Sequence, residues 1–259
     1  IRRCLRCYKC FPGSPEEGYD DLPFTSEELA LYVGHCTINP LAHLPFDPDT
    51  LAPASKQETV LIVGGGAAGM LASIFSARNG HEVHVYEKNE KLGKKLYITG
   101  KGRCNLTNAC DMDALFASVR TNSRFLYSAF YGFTNQDAMA FFEEEGLKIK
   151  TERGERVFPL SDRSADVLDT LRRSMRRAGV EIHLNTEVKD IIVEAGEARG
   201  LILSDKTRIE GDAVIVATGG LSYPVTGSTG DGYRFAKEAG HKVTDCIPSL
   251  TPFNIREQF

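Results

Sequence analysis

The feature that most constrains this chain is the run Gly64-Gly65-Gly66-Ala67-Ala68-Gly69. It follows Thr59-Val60-Leu61-Ile62-Val63, a continuous apolar and β-branched stretch of the kind that makes a buried parallel strand. Beyond it, residues 67–79 read as a helix of small residues closed by Gly80, and Glu82-Val83-His84-Val85-Tyr86 reads as a second strand. A strand, a glycine turn, a helix and a strand form a β-α-β unit, which commits the chain to a parallel sheet covered by helices. The glycines have separate tasks. Gly64 permits the tight turn, Gly66 lets a diphosphate approach the backbone, and Gly69 lets helix and strand pack closely. Ala67 and Ala68 open the helix, whose free N–H groups and positive dipole end suit phosphate oxygens.

The second strand ends in Glu87, 18 residues after Gly69, where a carboxylate can accept both hydroxyls of a ribose. That charge would repel a 2′-phosphate, so the motif points to an FAD- or NAD-type adenosine and away from NADP. Lys88 follows it. Next comes a long loop, residues 88–110, holding Gly93-Lys94-Lys95 and Ile98-Thr99-Gly100-Lys101-Gly102-Arg103-Cys104-Asn105-Leu106-Thr107-Asn108. Cations, glycines and amides there could hold the rest of a dinucleotide; the plain alternative is a solvated basic loop. A second buried strand, residues 212–217, ends in Thr218-Gly219-Gly220, small enough for the chain to pass close to a cofactor at the carboxyl edge of the sheet. Thr226–Gly232 then either cradles phosphate or caps the next helix through Asp231.

Between these motifs, helices are expected near 111–131, 135–146, 163–178 and 232–239. Strands are expected near 147–151, 156–158, 181–184, 187–194, 198–203 and 207–210, with a small antiparallel layer over 181–210. Residues 1–56 differ in texture. They carry most of the 11 prolines and four of the seven cysteines, a possible short helix at Ser26–Leu31, and a linker near 53–57. A net charge of −4 argues against a nucleic-acid partner, and no apolar run reaches the roughly 18 residues a membrane span needs. Without an export signal, a cytoplasmic location with reduced thiols is expected. Starting at Ile1 and stopping at Phe259, the chain reads as a fragment. Arg172, Arg173, Arg176 and Arg177 read as a solvated helix face. His81, His84, His183 and His241 read as surface or packing residues without partners at ligand spacing, and Cys104 reads as a contact or packing residue.

The stretches VLIVGGGAAGM, VYEKNEKLGKKLYITGKGRCNLTN, ERVFPLSDRSADV, VIVATGG, SYPVTGSTGDGYRFAKEAGH and PSLTPF, taken together, resemble the BaiN-type, or aminoacetone-oxidase-like, FAD-dependent oxidoreductases over residues 57–259. The resemblance implies an α/β fold of the Rossmann-like, glutathione-reductase-like FAD/NAD(P)-binding kind. In it, Gly64, Gly66, Ala67, Ala68 and Gly69 surround the diphosphate of an extended FAD, and Glu87 holds the ribose. It further implies that Lys95, Gly100, Arg103, Asn105, Thr107 and Asn108 lie along the flavin side, with Lys101 and Arg103 supplying charge near the reduced ring. Val188 would meet the adenine, and a substrate-side domain would begin after Pro252. Lys88, Thr218 and Gly219 complete the expected cofactor contacts. The chemistry implied is reduction of a C=C or C=O bond in a small organic substrate by a nicotinamide electron donor. The alternatives are a tRNA-modifying-type flavoprotein and an inactive fragment or chimera that only binds nucleotide.

Residues 1–56 resemble something else. Cys4-x2-Cys7-x2-Cys10 followed by Cys36 is similar to the cluster segment of old-yellow-enzyme-type NADH:flavin oxidoreductases, although its spacings differ from that pattern. Four thiolates there could hold a [4Fe–4S] cluster or zinc, or stay unligated. The resemblance implies an FMN-bearing TIM barrel upstream.

Overall fold

The computed structural model describes residues 56–247. In chain order the elements begin β1 (Thr59–Val63), α1 (Ala67–Arg78), β2 (Glu82–Tyr86), α2 (Lys94–Ile98) and β3 (Thr107–Asn108). Then come α3 (Met112–Ala117), α4 (Tyr127–Gly132), α5 (Asn135–Glu144), β4 (Ile149–Glu152), β5 (Arg156–Pro159) and α6 (Ser164–Arg177). The last are β6 (Glu181–His183), β7 (Val188–Glu194), β8 (Glu197–Leu203), β9 (Arg208–Glu210), β10 (Ala213–Val216) and α7 (Asp231–Glu238).

A parallel sheet in the order β10-β1-β2-β6 forms the centre. The apolar run of β1 is continuous because both its faces are covered. Val60 and Ile62 enter one core with Met70 and Ile74 of α1 and with Val167, Leu168, Leu171 and Met175 of α6. Leu61 and Val63 enter a second core with Val188, Leu201, Leu203 and Phe235. The antiparallel sheet β7-β8-β9, with Phe235 of α7, therefore lies on one side of the central sheet and helices α1 and α6 on the other. The apolar positions of α6 recur at helical spacing, which sets that face inward. Its arginines point outward, where Arg177 pairs with Glu145 and Arg172 with Asp169.

Three expectations are corrected. The helical stretch over 111–131 is broken into α3, which ends at Ala117, a 3-10 turn at Ser123–Leu126 entered through Asn122 at a left-handed φ of 54°, and α4. The strand at 181–183 joins the parallel sheet beside β2 and not the antiparallel layer. Three residues carry too little pattern to reveal which sheet they complete. The stretch 88–110 is not all loop, since it folds α2 and then β3, which pairs with β5 in a third small sheet. Ser26–Leu31, the linker at 53–55 and Cys4, Cys7, Cys10 and Cys36 lie outside the described residues.

Candidate nucleotide-binding site

Backbone geometry builds this site before any side chain contributes. Gly64 has φ +105°, a conformation that L side chains rarely adopt, and its N–H donates to the carbonyl of Tyr86 (2.9 Å). That bond turns the chain out of β1 and aims Gly65 at the end of β2. There the Gly65 N–H donates to Glu87 Oε2 (2.7 Å), while the backbone N–H and side-chain amide of Asn89 donate to Glu87 Oε1 (2.8 and 2.6 Å). Glu87 is only 7% exposed, so these three donors fix its carboxylate in place. The acid and the glycine turn, 22 positions apart in sequence, are joined by a single hydrogen bond from Gly65.

Gly66, the N-cap of α1, has no side-chain cap, and no acidic residue occupies the first turn. The N–H groups of that turn therefore lack a local competitor for an anion. A Cβ on Gly66 would meet nothing within 4 Å. Its outer side is open space, and that space is a cavity of about 700 Å³, within the size range of cofactor sites. The cavity runs from Gly64, Gly66, Ala67 and Ala68, past Glu87 and Lys88, to Lys95. Thr186 and Val188 form one wall, and Thr218 and Gly219 form another. Tyr86 and Phe235 give it apolar patches.

The cavity offers cations as well as N–H groups. Lys88 is paired with Asp231 (2.8 Å) and also donates to Thr229 (2.7 Å). Burial opposes ionisation of Asp231, but the hydrogen bonds from Lys88 and Thr229 outweigh it and hold the carboxyl below its ordinary value. Lys94 is tied to Glu90 (3.1 Å). No carboxylate among the described residues pairs with Lys95, whose Nζ lies 3.9 Å from where a Gly219 Cβ would stand. Thr218 Oγ1, on the cavity wall, is buried without a hydrogen-bond partner among the described residues. An orphaned hydroxyl and a cradle that a Cβ would fill are what a diphosphate-bearing ligand needs. These residues fit FAD. Gly66→Ala should leave the melting temperature nearly unchanged and weaken FAD binding, which titration of the apoprotein would measure. Equal affinity would show that the ligand does not use this cradle.

Other residues named from the sequence stand elsewhere. Gly69 is packed beneath the turn. Gly100, Arg103, Asn105, Thr107 and Asn108 are not on the cavity wall. Arg103 reaches Asp162 (2.8 and 2.5 Å) and Glu152 (2.5 Å) and lies over the Phe158 ring at 4.2 Å. Hydrogen bonds from Arg103, and then from Lys150, hold Glu152 below its ordinary value. Asp162 is lowered in the same way, Lys150 first. Thr107 and Asn108 form β3, and the Asn108 amide donates to the Gly154 carbonyl (2.8 Å). Cys104 is fully buried, and burial pushes its thiol up. Asp231 does not cap α7, because Gly230 occupies the cap position without a side-chain bond. Residues on the site that went unanticipated include Tyr86, Asn89, Thr186 and Phe235. An asparagine two residues after the acid was a readable signal for Asn89. The histidine reading needs correction too. Parallel pairing of β2 with β6 sets His84 Nδ1 3.3 Å from His183 Nε2 with Glu181 beside them, so these two do have partners at ligand distance.

A glycine turn opening a helix, with a carboxylate fixed beside it on a parallel sheet, defines a Rossmann-like FAD-binding α/β fold. The HI0933-like protein Rossmann domain matches residues 58–247, and the chain belongs to that family. It is 34% identical over 201 residues to the 3-dehydro-bile acid delta(4,6)-reductase of Clostridium scindens, which covers 76% of this chain and 47% of that protein. It is 31% identical over 205 residues to the ribosomal RNA dihydrouridine synthase of Haemophilus influenzae, covering 78% and 50% respectively. The chain thus spans about half the length of these curated relatives. Among solved structures, the Mycobacterium smegmatis Sdh1 complex in the apo form matches with a TM-score of 0.54 at 21% identity, over 71% of this chain and 39% of that one. No helix among the described residues is long and apolar enough to cross a membrane.

Proposed function

We propose that this chain binds FAD in the cavity and forms the cofactor-bearing part of an FAD-dependent oxidoreductase. Its reaction is reduction of a C=C or C=O bond in a small organic substrate with electrons from a nicotinamide donor. The observation that carries this reading is the fixed Glu87 carboxylate beside the open Gly66 cradle. FAD supplies two-electron hydride chemistry when bound. The chain's residues supply binding and position. Glu87 accepts the ribose hydroxyls, the first turn of α1 and Lys95 meet the diphosphate, Val188 packs against the adenine, and Thr218 donates from the strand edge. The two relatives favour C=C over C=O, since one is named a reductase and the other a dihydrouridine synthase. The second name also favours an alternative in which the reduced bond lies in an RNA base.

In the same reading Cys4, Cys7, Cys10 and Cys36 hold a [4Fe–4S] cluster. One anaerobic purification of the full chain tests both parts. A yellow protein releasing FAD on denaturation is expected, with iron and labile sulfide in equal amounts. A colourless protein that takes up no added FAD would overturn the flavin assignment. FAD without iron would remove the cluster alone.

A further inference from the structure

We propose that His84, Glu181 and His183 form a divalent-metal site of the zinc class at the edge of the central sheet. Residues 84 and 181 are paired across β2 and β6, as are 86 and 183, so all four side chains emerge on one face. His84 Nδ1 is 3.3 Å from His183 Nε2 and 3.4 Å from Glu181 Oε2, and the remaining side of the triangle is 4.0 Å. A tetrahedral zinc with bonds of about 2.0–2.1 Å spans ligand separations of about 3.3–3.4 Å. Two sides of the triangle match that value, and the third closes by a small rotation of the Glu181 side chain, which is 63% exposed.

The surroundings support the assignment. Glu82 Oε1 lies 3.2 Å from His84 Nε2, the nitrogen turned away from the proposed metal. A carboxylate on the far nitrogen is the usual support for a metal-bound histidine, because it fixes the tautomer that leaves the near nitrogen's lone pair free. Tyr86 stacks on the His183 ring at 4.6 Å and 10°, which fixes the second ligand's plane. Three protein ligands at a solvent-facing edge leave a fourth position for water. A metal there would pin the three-residue strand β6 to β2, immediately before Thr186 and Val188 of the cavity wall. The proposal does not depend on the flavin assignment.

The test is a Zn²⁺ titration of the full chain against a chromogenic chelator, comparing the parent with the His84→Asn/His183→Asn variant. The parent should bind one equivalent more than the variant, and thiols elsewhere contribute equally to both. Glu82→Gln should weaken that equivalent by roughly tenfold to a hundredfold. A second measurement needs no substitution: Co²⁺ should perturb the ring signals of two of the six histidines first. Equal zinc stoichiometry in parent and variant, or Co²⁺ leaving every histidine ring unmoved, would overturn the site and leave a plain histidine–histidine hydrogen bond.

Discussion

Gly69→Ala is expected to lower the stability of the folded chain by roughly 3 kcal/mol or more, although it adds one methyl group to a glycine within a helix. In an ordinary helix that exchange stabilises by roughly 0.5–1 kcal/mol. Here the added Cβ would stand 1.9 Å from the carbonyl oxygen of Gly64. The Cβ position is fixed by its own backbone and the atom it meets is backbone, so no rotation relieves the collision. The start of α1 would have to lift from the end of β1, taking Met70 and Ile74 out of a core in which both are fully buried. For a chain of this size the loss corresponds to a melting temperature lower by about 6–12 °C. Thermal unfolding followed by circular dichroism would read it. Melting within about a degree of the parent would show that helix and strand are less tightly opposed than 1.9 Å implies.

The Glu87→Gln exchange should act differently, sparing most of the fold while lowering FAD affinity by roughly tenfold to a hundredfold. The side chain keeps its size but exchanges one acceptor oxygen for an amide that only donates. Each Glu87 oxygen now accepts from the protein, Oε2 from Gly65 and Oε1 from Asn89. Whichever way the glutamine turns, its NH₂ faces a donor, and a buried N–H is left unsatisfied at a cost of about 1–3 kcal/mol. The ribose also loses a charged acceptor. Fluorescence titration of the apoprotein with FAD measures the change, and circular dichroism checks the fold. An unaltered dissociation constant would mean that Glu87 serves the turn and not the nucleotide.

What could be read in advance was local. β1, the glycine turn, α1 and Glu87 lie within one short stretch, each marked by residue type and spacing. So did the parallel α/β class, which needs only the β-α-β unit. What could not be read depended on pairing between distant segments. His84 and His183 are 99 positions apart, and nothing in either neighbourhood shows that β6 will lie against β2. The same blindness moved β6 into the wrong sheet. Chain order brings Arg103, Asn105 and Asn108 close behind the acid, but the pairing of β3 with β5 and the ionic contacts of Arg103 turn them toward Glu152, Asp162 and Gly154.

The pairing of β1 with β10 has a consequence for how the molecule is made. Val60 faces Ala213, and Asp212 accepts the Thr59 N–H across 153 positions of sequence. On the ribosome, β1 emerges long before β10, and its outer edge waits for that partner. A long-range closure of this kind slows folding and leaves a sticky apolar edge open in nascent chains. Truncation before residue 213 should therefore yield aggregates, even though the glycine turn and its acid would both be present.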